Sequence, residues 1–342
     1  MEDILTLQMK IIPEMIELLD KRYSILKKIY YSQPIGRRAL SQQLALGERI
    51  VRTEINFLKE QGLIDINSIG MMTTEEGENI LEHLEEMIHK INGLSNVEEK
   101  LQKYLGISKI IVVPGNLDED NTVLKEIGRI AAGHIKNLIA NNSIIALTGG
   151  TSVAQVVNNF PRISRENTLV VPARGGIGRD VETQASTLAS KLASRIGGTH
   201  KILHVPDNLS SEALETMIHE PDIKDTLDSI SKADVLIFGI GRADEMSRRR
   251  SHPVELTEEL LSNGAVAEAF GYYFNQNGEI IYKTPTMGLS FGDVCKIKNI
   301  VAVAGGKNKA TAIIATKSFN SRMTLVTDEG AAKEILRIKE QK

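Results

Sequence analysis

From Ile12 onward, apolar residues fall at Met15, Leu18, Leu19, Tyr23, Leu26, Ile29 and Tyr30. Spacings of three and four predict an amphipathic helix, which Ser32, Pro34 and Gly36 bring to an end. A short helix is expected from about Arg38 to Leu44, then a tight connection through Ala45, Leu46 and Gly47, then a third helix from Glu48 to Gln61 closed by Gly62. In that third helix Val51, Ile55 and Leu58 share one face, so Arg49, Arg52, Thr53 and Asn56 lie on the other. Leu63–Ile66 and Met71–Thr73 flank a Ser68-Ile69-Gly70 turn and predict a hairpin. Thr73 and Glu76 are expected to form a capping box for a helix carrying Ile80, Leu81, Leu84, Met87, Ile88 and Ile91. That helix is expected to link two domains, 1–92 and 93–342, and to pair with its copy in a dimer.

The pattern changes beyond Leu105. Short apolar runs alternate with helical stretches: Lys109–Val113, Ser143–Leu147, Thr168–Val171, Lys201–Val205, Asp234–Phe238, Ile300–Val303 and Met323–Val326. Seven buried strands so spaced predict an α/β domain with a mostly parallel sheet wrapped by helices. Gly271–Asn275 and Glu279–Tyr282 around Asn277-Gly278 predict an added hairpin.

Composition narrows the function classes. In 342 residues, 42% are hydrophobic and 25% charged, the balance of a folded chain long enough for two domains. Formal net charge is -3, so any contact with nucleic acid must come from a local basic surface. Such a surface exists between Gln33 and Lys59, where five basic residues (Arg37, Arg38, Arg49, Arg52, Lys59) stand against two acidic ones, Glu48 and Glu54. The single cysteine, Cys295, excludes an intrachain disulfide framework or a thiolate metal cluster and fits a reducing compartment. The acidic start, Met1-Glu2-Asp3, and the lack of any apolar run near 18 residues long lead us to expect a cytoplasmic protein with no membrane partner.

Candidate chemistry lies in glycine-rich turns after four strands: Thr148-Gly149-Gly150-Thr151-Ser152, Ala173-Arg174-Gly175-Gly176, Gly239-Ile240-Gly241 and Gly305-Gly306-Lys307-Asn308-Lys309. In folds of this kind ligands sit at the carboxyl ends of the strands. Glycine lets main-chain N–H groups approach an anion, helix N-termini add partial positive charge, and Thr, Ser and Lys supply further donors. A phosphorylated ligand is the expectation. Nucleotide signatures fail, because Gly306-Lys307 is followed by Asn308 where a P-loop has Ser or Thr, and Gly239-Ile240-Gly241 has Asp244 where a dinucleotide fingerprint has its third glycine. No cofactor, metal site or catalytic residue is expected.

Two resemblances sharpen this picture. Leu40-Ser41, Leu46, Glu48-Arg49, Val51-Arg52, Glu54-Ile55, Leu58 and Glu60-Gln61-Gly62-Leu63-Ile64 resemble the DeoR-type winged helix-turn-helix, with Gly47 where a capping Ser is commoner. Ile35-Gly36-Arg37-Arg38, Thr148-Gly149-Gly150-Thr151, Val171-Pro172-Ala173-Arg174-Gly175-Gly176, Glu268–Asn275 and Thr327–Ala332 resemble the SorC family, whose sugar-binding domain is similar to ribose-5-phosphate isomerase and glucosamine-6-phosphate deaminase. Together they cover nearly the whole chain.

The resemblance implies a transcriptional repressor of an operon for lower glycolytic enzymes, with double-stranded operator DNA and a sugar phosphate, most specifically fructose 1,6-bisphosphate, as its partners. Effector contacts would come from Gly149, Gly150, Thr151 and Ser152 with Lys309 at one phosphate, from Arg174 and Arg249 at the other, and from Gln184 and Glu268 on sugar hydroxyls. Ser152 stands where a second Thr is familiar in the family, and the run Arg248-Arg249-Arg250 leaves the register of the contacting arginine open. DNA contacts would come from Arg37, Arg38, Ser41, Arg49, Arg52 and Thr53. A dimer or tetramer is expected on DNA, since half-sites mirror protein symmetry. The fold leaves an alternative open, a sugar-phosphate isomerase or deaminase with an appended DNA-binding domain, in which Glu268 would serve as general base.

Overall fold

The computed structural model describes residues 11–176, 180–205, 210–317 and 321–341; the acidic start of the chain lies outside them. Two compact units divide the chain, Met1–Ser95 and Asn96–Lys342, three residues beyond the expected boundary.

In the first unit, helices Pro13–Ser32, Arg37–Leu44 and Glu48–Glu60 are followed by an antiparallel hairpin of β1 (Ile64–Asn67) and β2 (Gly70–Thr73), then by helix Glu75–Ile91. Ile25, Leu26, Ile29, Leu40, Val51, Ile55, Leu58, Ile64, Met71 and Leu81 form its core. The third helix buries Val51, Ile55 and Leu58 as their spacing requires, and also Glu54. Lys21 and Arg22 reach Glu54 from the first helix at 3.1 and 2.8 Å, while the Arg22 guanidinium lies 3.5 Å above the Phe57 ring. Glu54 therefore takes its negative charge away from the basic face. The capping pair is corrected by one residue: Thr74, not Thr73, accepts from Gly77 N–H, because Thr73 Oγ1 is turned to Gln33.

The second unit opens with helix Leu94–Leu105, which carries the chain across the division, and is built on a seven-stranded sheet. Its strands are β3 (Lys109–Val113), β4 (Ile144–Leu147), β5 (Leu169–Pro172), β6 (Thr199–His200), β7 (Val235–Gly239), β12 (Asn299–Val303) and β13 (Met323–Asp328). Every pairing is parallel, in the order β3-β13-β12-β7-β4-β5-β6. Successive strands β4, β5 and β6 run outward in one direction, whereas β7 lies on the other side of β4. The crevice between β4 and β7 is thus a topological switch point. Helices Thr122–Lys136, Thr151–Asn158 and Ala185–Ile196 pack Ile127, Val156 and Leu192 against Ile145, Ile237 and Val303 of the sheet.

Beside it lies an antiparallel sheet of β8 (Gly241–Arg242), β9 (Ala265–Ala269), β10 (Tyr272–Asn275) and β11 (Ile280–Lys283), ordered β11-β10-β9-β8. Its β10–β11 pair is the predicted hairpin. The alanine-rich β9 carries little strand propensity and is not legible from composition. One expected strand is also corrected: Lys201–Val205 is irregular and β6 is confined to the two residues before it, because the chain leaves the sheet there, with Val205 O accepting from Gly176 N–H.

The ion pairs of Glu54 hold its pKa below the ordinary value of 4.5; burial alone would raise it, and the bonds from Arg22 and Lys21 prevail. A depressed carboxylate stabilises the fold fully above its unfolded pKa, and that stability is lost as pH falls through the folded value. Replacing Glu54 by Gln is therefore expected to lower the opening free energy of amides 51–58 by about 1–2 kcal/mol at pH 7. Hydrogen exchange of the full chain measures this, and the gap between variant and wild type should close below about pH 4.

Candidate effector cleft and DNA-facing surface

At the switch point the carboxyl ends of four strands deliver side chains to one cleft of about 600 Å³. Beyond β4 the chain enters helix Thr151–Asn158 through Gly150, whose φ of +123° an L side chain rarely adopts. Gly150 N–H is fixed on Thr183 O at 2.9 Å, and Thr151, Ser152 and Val153 of the helix's first turn, where main-chain N–H groups lack helical partners, line the cleft. Gly239 N–H donates to Thr148 Oγ1 at 3.4 Å and ties the turn after β7 to the turn after β4.

Arg174 follows β5 and is 3% exposed. Its guanidinium passes so close to Gly271 that a Cβ there would lie 2.6 Å from Nη2. Glu268, on β9, anchors the arginines: its Oε1 accepts from Arg250 at 2.6 Å, from Gly271 N–H at 2.5 Å and from Arg174 at 3.5 Å. Burial, reinforced by the charge of Arg250, lowers the Arg174 pKa to about 9 despite Glu268. Arg174 remains a cation at neutral pH.

Lys309, presented by the Gly305–Lys309 turn after β12, lines the same cleft. Its amine has no hydrogen bond or ion pair among the described residues. Burial lowers its pKa, Glu245 opposes that, and Arg249 adds to it. Arg249 also lines the cleft and donates to Thr183 Oγ1 at 3.1 Å, a neutral partner, and no carboxylate among the described residues is bonded to it. Four cations (Arg174, Arg249, Arg250, Lys309) thus face two carboxylates (Glu245, Glu268), an excess of two positive charges.

Of the expected effector residues, Gly149, Gly150, Thr151, Ser152, Arg174, Arg249, Glu268 and Lys309 all line this cleft. Gln184 lines an adjoining chamber that shares Gly149, Gly150, Met246 and Arg249 with it. In the arginine run, Arg248 is exposed and bonded to Asp244, whereas Arg249 and Arg250 both reach the cleft. Sequence reasoning missed Glu245, Met246 and Phe270. Glu245 and Met246 share the helix Ala243–Arg249 with Arg249, and the i,i+4 spacing of Glu245 and Arg249 was the available signal.

On the first unit, Arg37, Arg38, Arg49, Arg52 and Thr53 are exposed, together with Asn56. The Thr53 hydroxyl donates to Arg49 O at 3.1 Å and so offers only acceptor capacity outward. Ser41 departs from expectation. It is buried, and its hydroxyl donates to Leu46 O at 2.6 Å, bracing the turn between the second and third helices instead of facing DNA. No helix among the described residues is long and apolar enough to cross a membrane.

Residues 89–337 match the family model of a sugar-binding domain, and residues 18–88 match that of the CggR N-terminal DNA binding domain. The chain is 41% identical to the central glycolytic genes regulator of Bacillus subtilis over 338 residues, which cover 98% of this chain and 99% of that protein. To the regulator of the same name from Priestia megaterium it is 43% identical over 339 residues, with the same coverage of each. Among solved structures, one described as a SorC family transcriptional regulator from Enterococcus faecalis is 38% identical with a TM-score of 0.67, covering 70% of this chain and 99% of that one. The full-length sorbitol operon regulator SorC from Klebsiella pneumoniae, 18% identical, shares the fold over 93% of this chain and 98% of its own, with a TM-score of 0.65.

The two kinds of cation should respond differently to removal. Arg174→Ala withdraws one partner from a buried carboxylate and is expected to cost about 3 kcal/mol of stability. Lys309→Met removes an amine that burial penalises and no carboxylate bonds among the described residues, so stability should stay within about 1 kcal/mol of wild type or rise. Denaturant unfolding of the two variants tests this, and equal losses would contradict the assignment of Lys309 as an uncompensated charge.

Proposed function

The chain belongs to the SorC family of sugar-binding transcriptional regulators, and from that premise we propose that it represses a glycolytic operon and loosens or tightens its hold on operator DNA in response to fructose 1,6-bisphosphate. The observation that carries this reading is the cleft with two positive charges in excess, in which Lys309 has no bonded carboxylate among the described residues and a helix N-terminus opens beside it. A phosphate ester carries about -1.5 to -2 charges at neutral pH and accepts hydrogen bonds only, which is the complement of such a site. Cations arrive from separate directions, Lys309 after β12 and Arg174 after β5, with Arg249 and Arg250 at the end of helix Ala243–Arg249. A sugar with a phosphate at each end engages both groups, and a monophosphate leaves one unmatched. The relatives named central glycolytic genes regulators support the choice of operon.

The isomerase or deaminase alternative gains nothing from the cleft. No histidine is among its lining residues, and Glu268 is held through Oε1 by Arg250 and Gly271 N–H in the posture of a fixed acceptor. Glu268 is instead a fixed acceptor for a sugar hydroxyl, through an Oε2 that has no donor among the described residues. The exposed arginines of the first unit supply phosphate and base contacts on DNA. A dimer or a pair of dimers on a two-fold site, working in the cytoplasm, completes the proposal.

For the sugar to weaken DNA binding tenfold, its affinities for the free and DNA-bound states must differ by about 1.4 kcal/mol. Fluorescence anisotropy on a DNA fragment that the protein protects in footprinting measures the ratio of DNA affinities with and without fructose 1,6-bisphosphate. We expect a ratio of about ten or more in wild type and near one in Lys309→Met. A wild-type ratio of one would contradict the sensor. Arg52→Ala is expected to weaken DNA binding about tenfold. If Arg52 meets a phosphate, the slope of log K against log salt should fall by about one; unchanged affinity would remove that helix from the interface.

A further inference from the structure

Two carboxylates line a cleft that is otherwise built for anions, and they are held very differently. Glu268 is buried and anchored by two arginines and a main-chain N–H. Glu245 is exposed and has no hydrogen bond or ion pair among the described residues. It stands one turn before Arg249 on helix Ala243–Arg249, a spacing at which glutamate and arginine ordinarily pair. They do not pair here, because Arg249 reaches to Thr183 Oγ1. The other cations nearby are engaged elsewhere, since Arg242 and Arg248 both bond Asp244. Lys309 feels the charge of Glu245 without bonding it.

A free carboxylate in an anion site has a definite chemical consequence. It is an acceptor only, and so are a phosphate ester dianion and a proton-free oxyanion such as sulfate. Next to a phosphate group it repels; next to a hydroxyl it accepts a charge-assisted hydrogen bond. Resting on the reading of the cleft as a sugar-phosphate site, we propose that Glu245 determines specificity, making the cleft select a hydroxylated phosphate ester over a bare anion. The carboxylate accepts from a hydroxyl of the bound sugar, and its charge penalises a proton-free oxyanion such as sulfate, which has no hydroxyl to offer. This complements the fixed acceptor Glu268, so that a polyol phosphate meets one anchored carboxylate from β9 and one unanchored carboxylate from the helix beside Arg249.

The two effects have opposite signs, which makes them separable. Calorimetric titration of the full chain with fructose 1,6-bisphosphate and, separately, with sulfate is carried out for wild type, Glu245→Ala and Glu245→Gln. Glu245→Ala is expected to lose about tenfold in affinity for the sugar, the worth of one charge-assisted hydrogen bond, and to gain affinity for sulfate. Glu245→Gln keeps an acceptor without the charge, so it should also gain for sulfate and lose less for the sugar. A Glu245→Ala protein that binds the sugar as tightly as wild type, or more tightly, overturns the assignment of Glu245. A wild-type protein that binds neither ligand overturns the reading of the cleft itself, and this proposal with it.

Discussion

Positive charge held without a counter-ion is the constraint on which the second unit is organised. Removing a cation from water is costly, and a protein ordinarily compensates it with an ion pair. Here compensation is partial: Glu268 answers Arg174 and Arg250, whereas Lys309 and Arg249 have no carboxylate bonded to them among the described residues. The topology permits this. With β4 and β7 adjacent but their connections running to opposite sides, the turns after β4, β5, β7 and β12 converge on one crevice without filling it.

The first unit uses charge in the opposite way. Glu54 would weaken a DNA-facing surface, but the helix turns it inward onto Lys21 and Arg22, and the outward face keeps Arg49 and Arg52. On the proposed function, one unit displays its cations to a polyanion of fixed geometry while the other recesses them for a small one. Regulation requires that these two binding events be coupled, and reciprocity then holds: whatever the sugar does to DNA affinity, DNA does to sugar affinity by the same factor.

The cleft was largely legible in the sequence because its elements are local. A glycine pair between an apolar run and a helix, as at Gly149-Gly150, marks a strand end where the backbone must turn sharply, and four such turns, each closing a strand of the sheet, mark one rim. Periodicity likewise fixed the three helices and the hairpin of the first unit. What escaped depends on contacts between distant segments. Ser41 looks like a polar residue on an exposed helix until Leu46 O is seen above it. Thr73 and Thr74 are interchangeable as caps until Gln33 claims one. The alanine-rich β9 and the two-residue β6 owe their strand geometry to their neighbours. Glu245 reads as half of an ordinary helical pair with Arg249 until Thr183 is seen to hold the arginine.

The central claim is that Lys309 is a half-buried cation awaiting an anionic partner, and the ionisation of its amine reports on this most directly. Nuclear magnetic resonance of the full chain, with lysine side chains isotopically labelled and Lys309→Met used to assign the signal, gives the pKa of that amine. In the free protein it should lie below the ordinary lysine value of about 10.4, lowered first by burial and then by Arg249 against the pull of Glu245. Saturation with fructose 1,6-bisphosphate should move it upward, as a phosphate arriving beside it favours the charged form. An amine that titrates at the ordinary value, or one that the sugar leaves unmoved, would contradict the account.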